Sequence, residues 1–249
     1  MDIDGATHSN LSKETTVVHT VDPSKMRQRH RRLLWRAVVF ALPIALILAV
    51  LAAYVSYFSL DLSITRELQE MSNPIFRGFM IGVSWFGNNR HGVVITVLVT
   101  VALLLMRLKI EARMLLISSA VGEVVDFLIK TIVGRPRPTV DLVSVYTNLN
   151  SKSFPSGHVF HYVALYGFLF YLAYVLMPKS ILRTILLIVC ASLVSLVGIS
   201  RMYLGEHWAS DVVGAYLFGT VWLLVVIDFY WKMKIRQPRP VKQPMDQVV

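Results

Sequence analysis

Two histidines, three cations and a carboxylate stand where apolar stretches of this chain end, and their types and spacing suit the handling of a phosphoryl group. His207 and Asp211 are four residues apart, so on a helix they share a face. The carboxylate can then accept a hydrogen bond from one imidazole nitrogen and leave the other as a lone-pair nucleophile. His158 is suited to protonate a leaving group and afterwards to activate water. Lys130, Arg137 and Arg201 supply positive charge for phosphoryl oxygens, the arginines through a planar fork. Ser156 and the Gly157 N–H add donors at the start of a helix, and Gly157 removes side-chain bulk there. With the charge supplied by side chains, this chemistry calls for no metal and no cofactor. Cys190, the single cysteine, lies inside an apolar run, so neither an internal disulfide nor a cysteine-built metal site is available.

These residues fall in three ordered clusters. The first is Lys130-Thr131-Ile132-Val133-Gly134-Arg135-Pro136-Arg137-Pro138, and the second is Pro155-Ser156-Gly157-His158. The third begins at Ser200-Arg201 and continues through His207 to Asp211. Together they resemble the signature of the type-2 phosphatidic acid phosphatase and vanadium haloperoxidase superfamily, in its small bacterial membrane lipid phosphatase branch. The resemblance implies a phosphohistidine intermediate on His207, with His158 and Asp211 completing the catalytic set. Lys130, Arg137, Ser156, Gly157 and Arg201 would bind phosphate. Arg135 reads equally as a substrate contact and as an interfacial arginine. His161, one turn beyond His158, reads as a polar contact inside the bundle and stays outside the site. Glu123 and Asp126 can share a helical face with Lys130 as an intramembrane ion pair, and Glu206 reads as a solvated loop residue.

The elements that must position these residues are apolar helices. Of 249 residues 55% are hydrophobic and 16% charged, against about 25% charged in soluble domains, so the excess must face lipid. The arginine-rich stretch ending at Arg36 precedes an uncharged run that lasts until Asp61, long enough to span and too long for a cleaved signal peptide. Leu60, Ile64, Leu68 and Met71 then recur at helical spacing among charged residues, as in a helix lying in the interface, with Asn73-Pro74 ending it. Five further apolar stretches lie near residues 91–106, 113–132, 159–177, 183–199 and 212–230. The expected fold class is therefore all-α, an integral membrane bundle of six transmembrane helices. It divides into a basic N-terminal tail (1–35), a membrane phosphatase domain (36–231) and a basic C-terminal tail (232–249).

The formal charge of +10 reflects basic residues that flank apolar segments, which points to anionic headgroups and away from nucleic acid. Seventeen of the 25 Lys and Arg fall on the side that holds both termini. That side is expected to be cytoplasmic, which places loops 133–158 and 200–210, and hence the active site, on the extracytoplasmic face of the membrane. The resemblance to small bacterial members implies that this is a bacterial plasma membrane. The expected function is hydrolysis of a lipid phosphate or diphosphate. Resemblance to small bacterial members ranks undecaprenyl diphosphate ahead of phosphatidylglycerol phosphate, phosphatidic acid and lipid A. Apart from this lipid substrate and the surrounding membrane lipids no partner is implied, and no oligomeric state follows. The alternative is a noncatalytic lipid-binding or lipid-translocating protein on the same bundle.

Overall fold

Apolar runs and the residues that interrupt them set the element order in the structure, a computed structural model that describes residues 23–235 apart from residue 148. The helices are α1 (Pro23–Tyr54), α2 (Ser59–Gln69), α3 (Pro74–Trp85), α4 (Asn89–Leu105), α5 (Lys109–Leu116), α6 (Gly122–Val133), α7 (Gly157–Tyr162), α8 (Phe168–Leu176), α9 (Ile181–Tyr203) and α10 (Ala209–Ile235). Single π turns, Ile117–Val121 and Val163–Gly167, join α5 to α6 and α7 to α8. No strand occurs among the described residues. The expected terminal tails lie largely outside them.

Asn73-Pro74 opens a helix as well as following one. The Asn73 side chain accepts the Ile75 N–H at 2.8 Å and Pro74 occupies the first helical position, where its missing N–H costs nothing. Residues 74–85, expected as part of a loop, therefore form α3. The preceding α2 is the expected interfacial helix, but its Asp61 is buried and accepts the Phe58 N–H at 2.9 Å.

Four segments are long and apolar enough to cross a membrane: Leu34–Tyr54, Gly157–Leu176, Ile181–Tyr203 and Ala209–Lys234. A fifth is the bent pair Pro74–Trp85 and Arg90–Leu105, which meet at 55°. The expected third span, 113–132, lies within α5, its π turn and α6, where Glu123, Asp126 and Lys130 interrupt the apolar sequence. The most enclosed segment is Gly157–Leu176, with 61% of its span buried against 17% for Leu34–Tyr54. Phe160, Tyr162, Leu165 and Phe168 from this segment pack in the main core with Met114, Leu115, Val226 and Tyr230. The two π turns are tied together where Ser118 Oγ donates to the Ala164 carbonyl at 2.7 Å, and Trp222 Nε1 donates to the Ser118 carbonyl at 2.8 Å. The carbonyls that a π turn releases from the helix ladder thus find partners across the bundle.

Candidate active site

At one end of the bundle a cavity of about 680 Å³ opens between α3, α4, α6, α7, α9 and the loops 134–156 and 204–208. Lys130, Arg137, Gly157, His158, Arg201 and His207 line it. Ser156 and Asp211, both fully buried, stand behind its wall.

The turn between α9 and α10 presents His207. Gly205 sits at φ 63°, and a Cβ there would lie 2.1 Å from the Ser144 carbonyl oxygen, so the turn needs glycine both for its backbone angle and for its space. His207 follows, almost wholly buried, with Nε2 3.0 Å from Arg137 Nη1. Since guanidinium can only donate, Nε2 carries the lone pair and Nδ1 the proton. Burial, followed by the nearby charges of Arg137, Arg201 and Lys130, holds the imidazole well below the ordinary histidine range. The ring is therefore neutral at neutral pH, as a nucleophile must be.

The expected hydrogen bond from His207 to Asp211 is not formed. Nδ1 lies 3.7 Å from Asp211 Oδ2, because α10 starts only at Ala209 and His207 precedes the helix on which the four-residue spacing would align them. Asp211 is held by other groups: Arg135 Nη1 donates to Oδ1 at 2.6 Å, while Ser153 Oγ and the Trp208 N–H donate to Oδ2 at 2.5 and 2.9 Å. Arg135 also donates to Asp61 at 3.0 Å and to Ser210 Oγ at 2.7 Å. Of the two readings open for Arg135, neither fits; it is a buried clamp that ties α2 to the first turn of α10.

On the facing wall, Lys130 Nζ donates to Asp126 Oδ2 and to the Pro155 carbonyl, both at 2.6 Å. Gly157 approaches this pair so closely that a Cβ would sit 3.0 Å from Asp126 Oδ2 and 3.1 Å from Lys130 Nζ. His158 Nε2 lies 3.0 Å from Asn88 Oδ1, an acceptor that leaves the proton on Nε2. Ser156 precedes the first turn of α7 and donates its N–H to the Asp211 carbonyl at 3.2 Å, while its hydroxyl finds no partner among the described residues.

The arginines are fixed before any ligand arrives. Arg137 donates Nε and Nη2 to the Ser151 carbonyl and hydroxyl, each at 2.8 Å, and Nη1 to the Glu206 carbonyl at 2.6 Å. Arg201 is buried, donates Nη1 to Ser84 Oγ at 2.5 Å and pairs with the Glu206 carboxylate. Glu206, expected in solvent, is thus a buried partner of a candidate phosphate ligand. His161 pairs through Nδ1 with Glu123 Oε1 at 2.8 Å. Sequence reasoning missed Asp61, Ser84, Asn88 and Ser153. Only Asp61, a charge at the boundary of an apolar run, carried a signal that could have marked it.

A model of the PAP2 superfamily matches residues 111–235, half of the chain. Phosphatidylglycerophosphatase B of Bacillus subtilis (strain 168) is 25% identical over 177 residues, which cover 71% of this chain and 86% of the relative. The crystal structure of a transmembrane PAP2-type phosphatidylglycerolphosphate phosphatase from Bacillus subtilis has a similar fold, with a TM-score of 0.69 and 24% identity over 81% of this chain and 98% of its own. The crystal structure of Aquifex aeolicus LpxE gives a TM-score of 0.56 and 22% identity over 70% of this chain and 98% of its own.

Proposed function

The chain belongs to the PAP2 superfamily and, like the lipid phosphatases it resembles, is a membrane phosphatase acting on lipid phosphates; we propose that its His207 Nε2 attacks the phosphorus of a lipid phosphate. The observation that carries this reading is a buried, neutral imidazole whose nucleophilic nitrogen faces Arg137 in a cavity also lined by Lys130 and Arg201. In the first step the N–P bond forms as the P–O bond to the lipid breaks, and His158, entering the step as the imidazolium, gives its Nε2 proton to the departing oxygen and is left neutral. In the second step His158 takes a proton from water, whose oxygen attacks phosphorus, and the N–P bond breaks to release phosphate. Lys130, Arg137 and Arg201 neutralise the equatorial oxygens, with Ser156 and Gly157 at the helix start behind them. Asp211, 3.7 Å from Nδ1, stabilises the positive ring that forms.

Among substrates, phosphatidylglycerol phosphate takes first place, because it is the substrate named in the Bacillus subtilis comparisons; undecaprenyl diphosphate, ranked first on the sequence alone, moves to second. Phosphate release by the purified protein from a panel of phosphatidylglycerol phosphate, undecaprenyl diphosphate, phosphatidic acid and lipid A tests this order. The fastest release is expected from the first, and release from none would remove the reading.

The proposed setting is a bacterial plasma membrane crossed six times, counting the bent pair α3–α4 and the charged α5–α6 segment as one pass each, with the site outside. The excess of basic residues at the termini supports this orientation. A cysteine at Lys152, in a Cys190→Ser background, should react with a membrane-impermeant thiol reagent in intact cells, and one at Lys242 should not. The reverse pattern would turn the site toward the cytoplasm.

A further inference from the structure

Glu206 joins the two arginines of the site. Its backbone carbonyl accepts from Arg137 Nη1 at 2.6 Å, its carboxylate pairs with Arg201, and His207 follows it in the chain. Glu206 is 4% exposed and Arg201 2%, and both line the cavity. A guanidinium taken out of water needs a counter-charge, and Ser84 Oγ, its other partner, is neutral. A phosphoryl group presents the arginine fork with the same pattern as a carboxylate, paired anionic oxygens.

We propose that Glu206 is a built-in competitor for the phosphoryl group: its carboxylate occupies Arg201 in the empty site, yields it when a phosphate enters, and reclaims it as inorganic phosphate leaves. This rests on the reading of Arg201 as a phosphate ligand. The charge around the cavity points the same way. Four cationic side chains (Arg90, Lys130, Arg137 and Arg201) and three carboxylates (Glu123, Asp126 and Glu206) line it, so a dianionic phosphate enters a site with little surplus positive charge. Asp126 also neutralises a cation, but Lys130 has three donor hydrogens and uses two of them here, so its third is free for phosphate without displacing the carboxylate. Retaining Glu206 beside a bound dianion is repulsive, which weakens the hold on product and favours turnover over sequestration of phosphate.

The test is competitive inhibition of lipid hydrolysis by orthovanadate and by inorganic phosphate in purified wild type and Glu206→Gln. The amide keeps the shape and an oxygen acceptor for Arg201 but removes the charge. Inhibition constants for both anions should fall about tenfold, with KM lowered and kcat no higher than wild type. Glu206→Asp retains the charge on a shorter side chain that withdraws from Arg201, and should show a smaller fall; it serves if the glutamine variant does not fold. Inhibition constants that are unchanged or raised in the folded variant would overturn the proposal and leave Glu206 as a brace for the arginines. A wild-type protein that neither releases phosphate nor responds to vanadate would overturn it together with the phosphatase reading.

Discussion

Charged groups meet apolar helices at both ends of this bundle, and the two ends treat them differently. α10 connects them, with Asp211 in its first turn and Lys232 and Lys234 in its last, roughly 35 Å apart at 1.5 Å per residue. At the far end the pairs close on themselves: Glu111 accepts from Lys234 at 2.5 Å and from Tyr230 OH at 3.0 Å, and Asp228 is bridged by Lys232 at 2.6 Å and Arg31 at 3.3 Å. At the cavity end Asp126 Oδ1, Ser156 Oγ and His207 Nδ1 are buried without hydrogen-bond partners among the described residues. An ion pair that satisfies itself anchors helices. A cluster that keeps buried polar atoms unpartnered around an open cavity bears a cost in stability that ligand binding can offset, and that difference separates a site from a brace.

The largest effect should come from the residue that most clearly belongs to the cavity end. His207→Ala and His158→Ala are each expected to abolish phosphate release while leaving the protein folded in detergent, since neither side chain belongs to the apolar core cluster. Wild-type-like turnover by His207→Ala would contradict the comparison at its strongest point. Next, Asp211→Asn should lower kcat by about 10²–10⁴-fold with KM little changed, because it weakens stabilisation of the imidazolium without removing the nucleophile. A rate equal to wild type would make Asp211 a brace like Glu111.

A smaller effect separates environment from identity. Because burial and cations depress the His207 pKa, the ring stays neutral as pH falls through the ordinary histidine range and loses activity only when pH falls through the depressed value. Arg137→Gln removes the cation whose Nη1 lies 3.0 Å from Nε2, so the pKa should rise and the acid limb of kcat/KM should move to higher pH. Comparing both proteins on one lipid cancels the ionisation of the substrate. A limb that stays in place would show that His207 does not govern it.

The smallest effect on activity is expected at the far end. Glu111→Gln removes the charge facing Lys234 and should cost about 1–2 kcal/mol of stability, read as a lowered melting midpoint, with kcat unchanged. A comparable loss of kcat would dissolve the distinction between the two ends.

How much of this was legible depended on whether a feature is local. The clusters at Lys130–Arg137, Ser156–His158 and Arg201–Asp211 could be found because charges at the ends of apolar runs are costly unless used. The apolar stretches near 159–177, 183–199 and 212–230 fall within the observed helices except at residue 177, because an apolar run that faces lipid must satisfy its backbone within the segment. α3 was hidden because Asn-Pro suits a helix start as well as a stop, and only the Asn73 cap decides between them. The His207–Asp211 relation was misjudged because helical spacing holds only inside a helix, and α10 begins two residues after the histidine. Glu206 and Arg135 carried no local sign of their roles. Their partners lie on α9, α2 and α10, so their burial follows from how helices meet. The π turns are likewise tertiary, each stabilised by contacts across the bundle.

The central claim is that phosphorus passes through His207. Purified protein mixed with lipid carrying ³²P in the scissile phosphate, quenched in alkali within one turnover and digested, should yield a labelled peptide containing His207 whose label is lost on acidification. The same label should accumulate in His158→Ala only if the leaving group departs without its proton, and should be absent from His207→Ala. Labelled product released at the wild-type rate with no labelled His207 peptide would contradict the account.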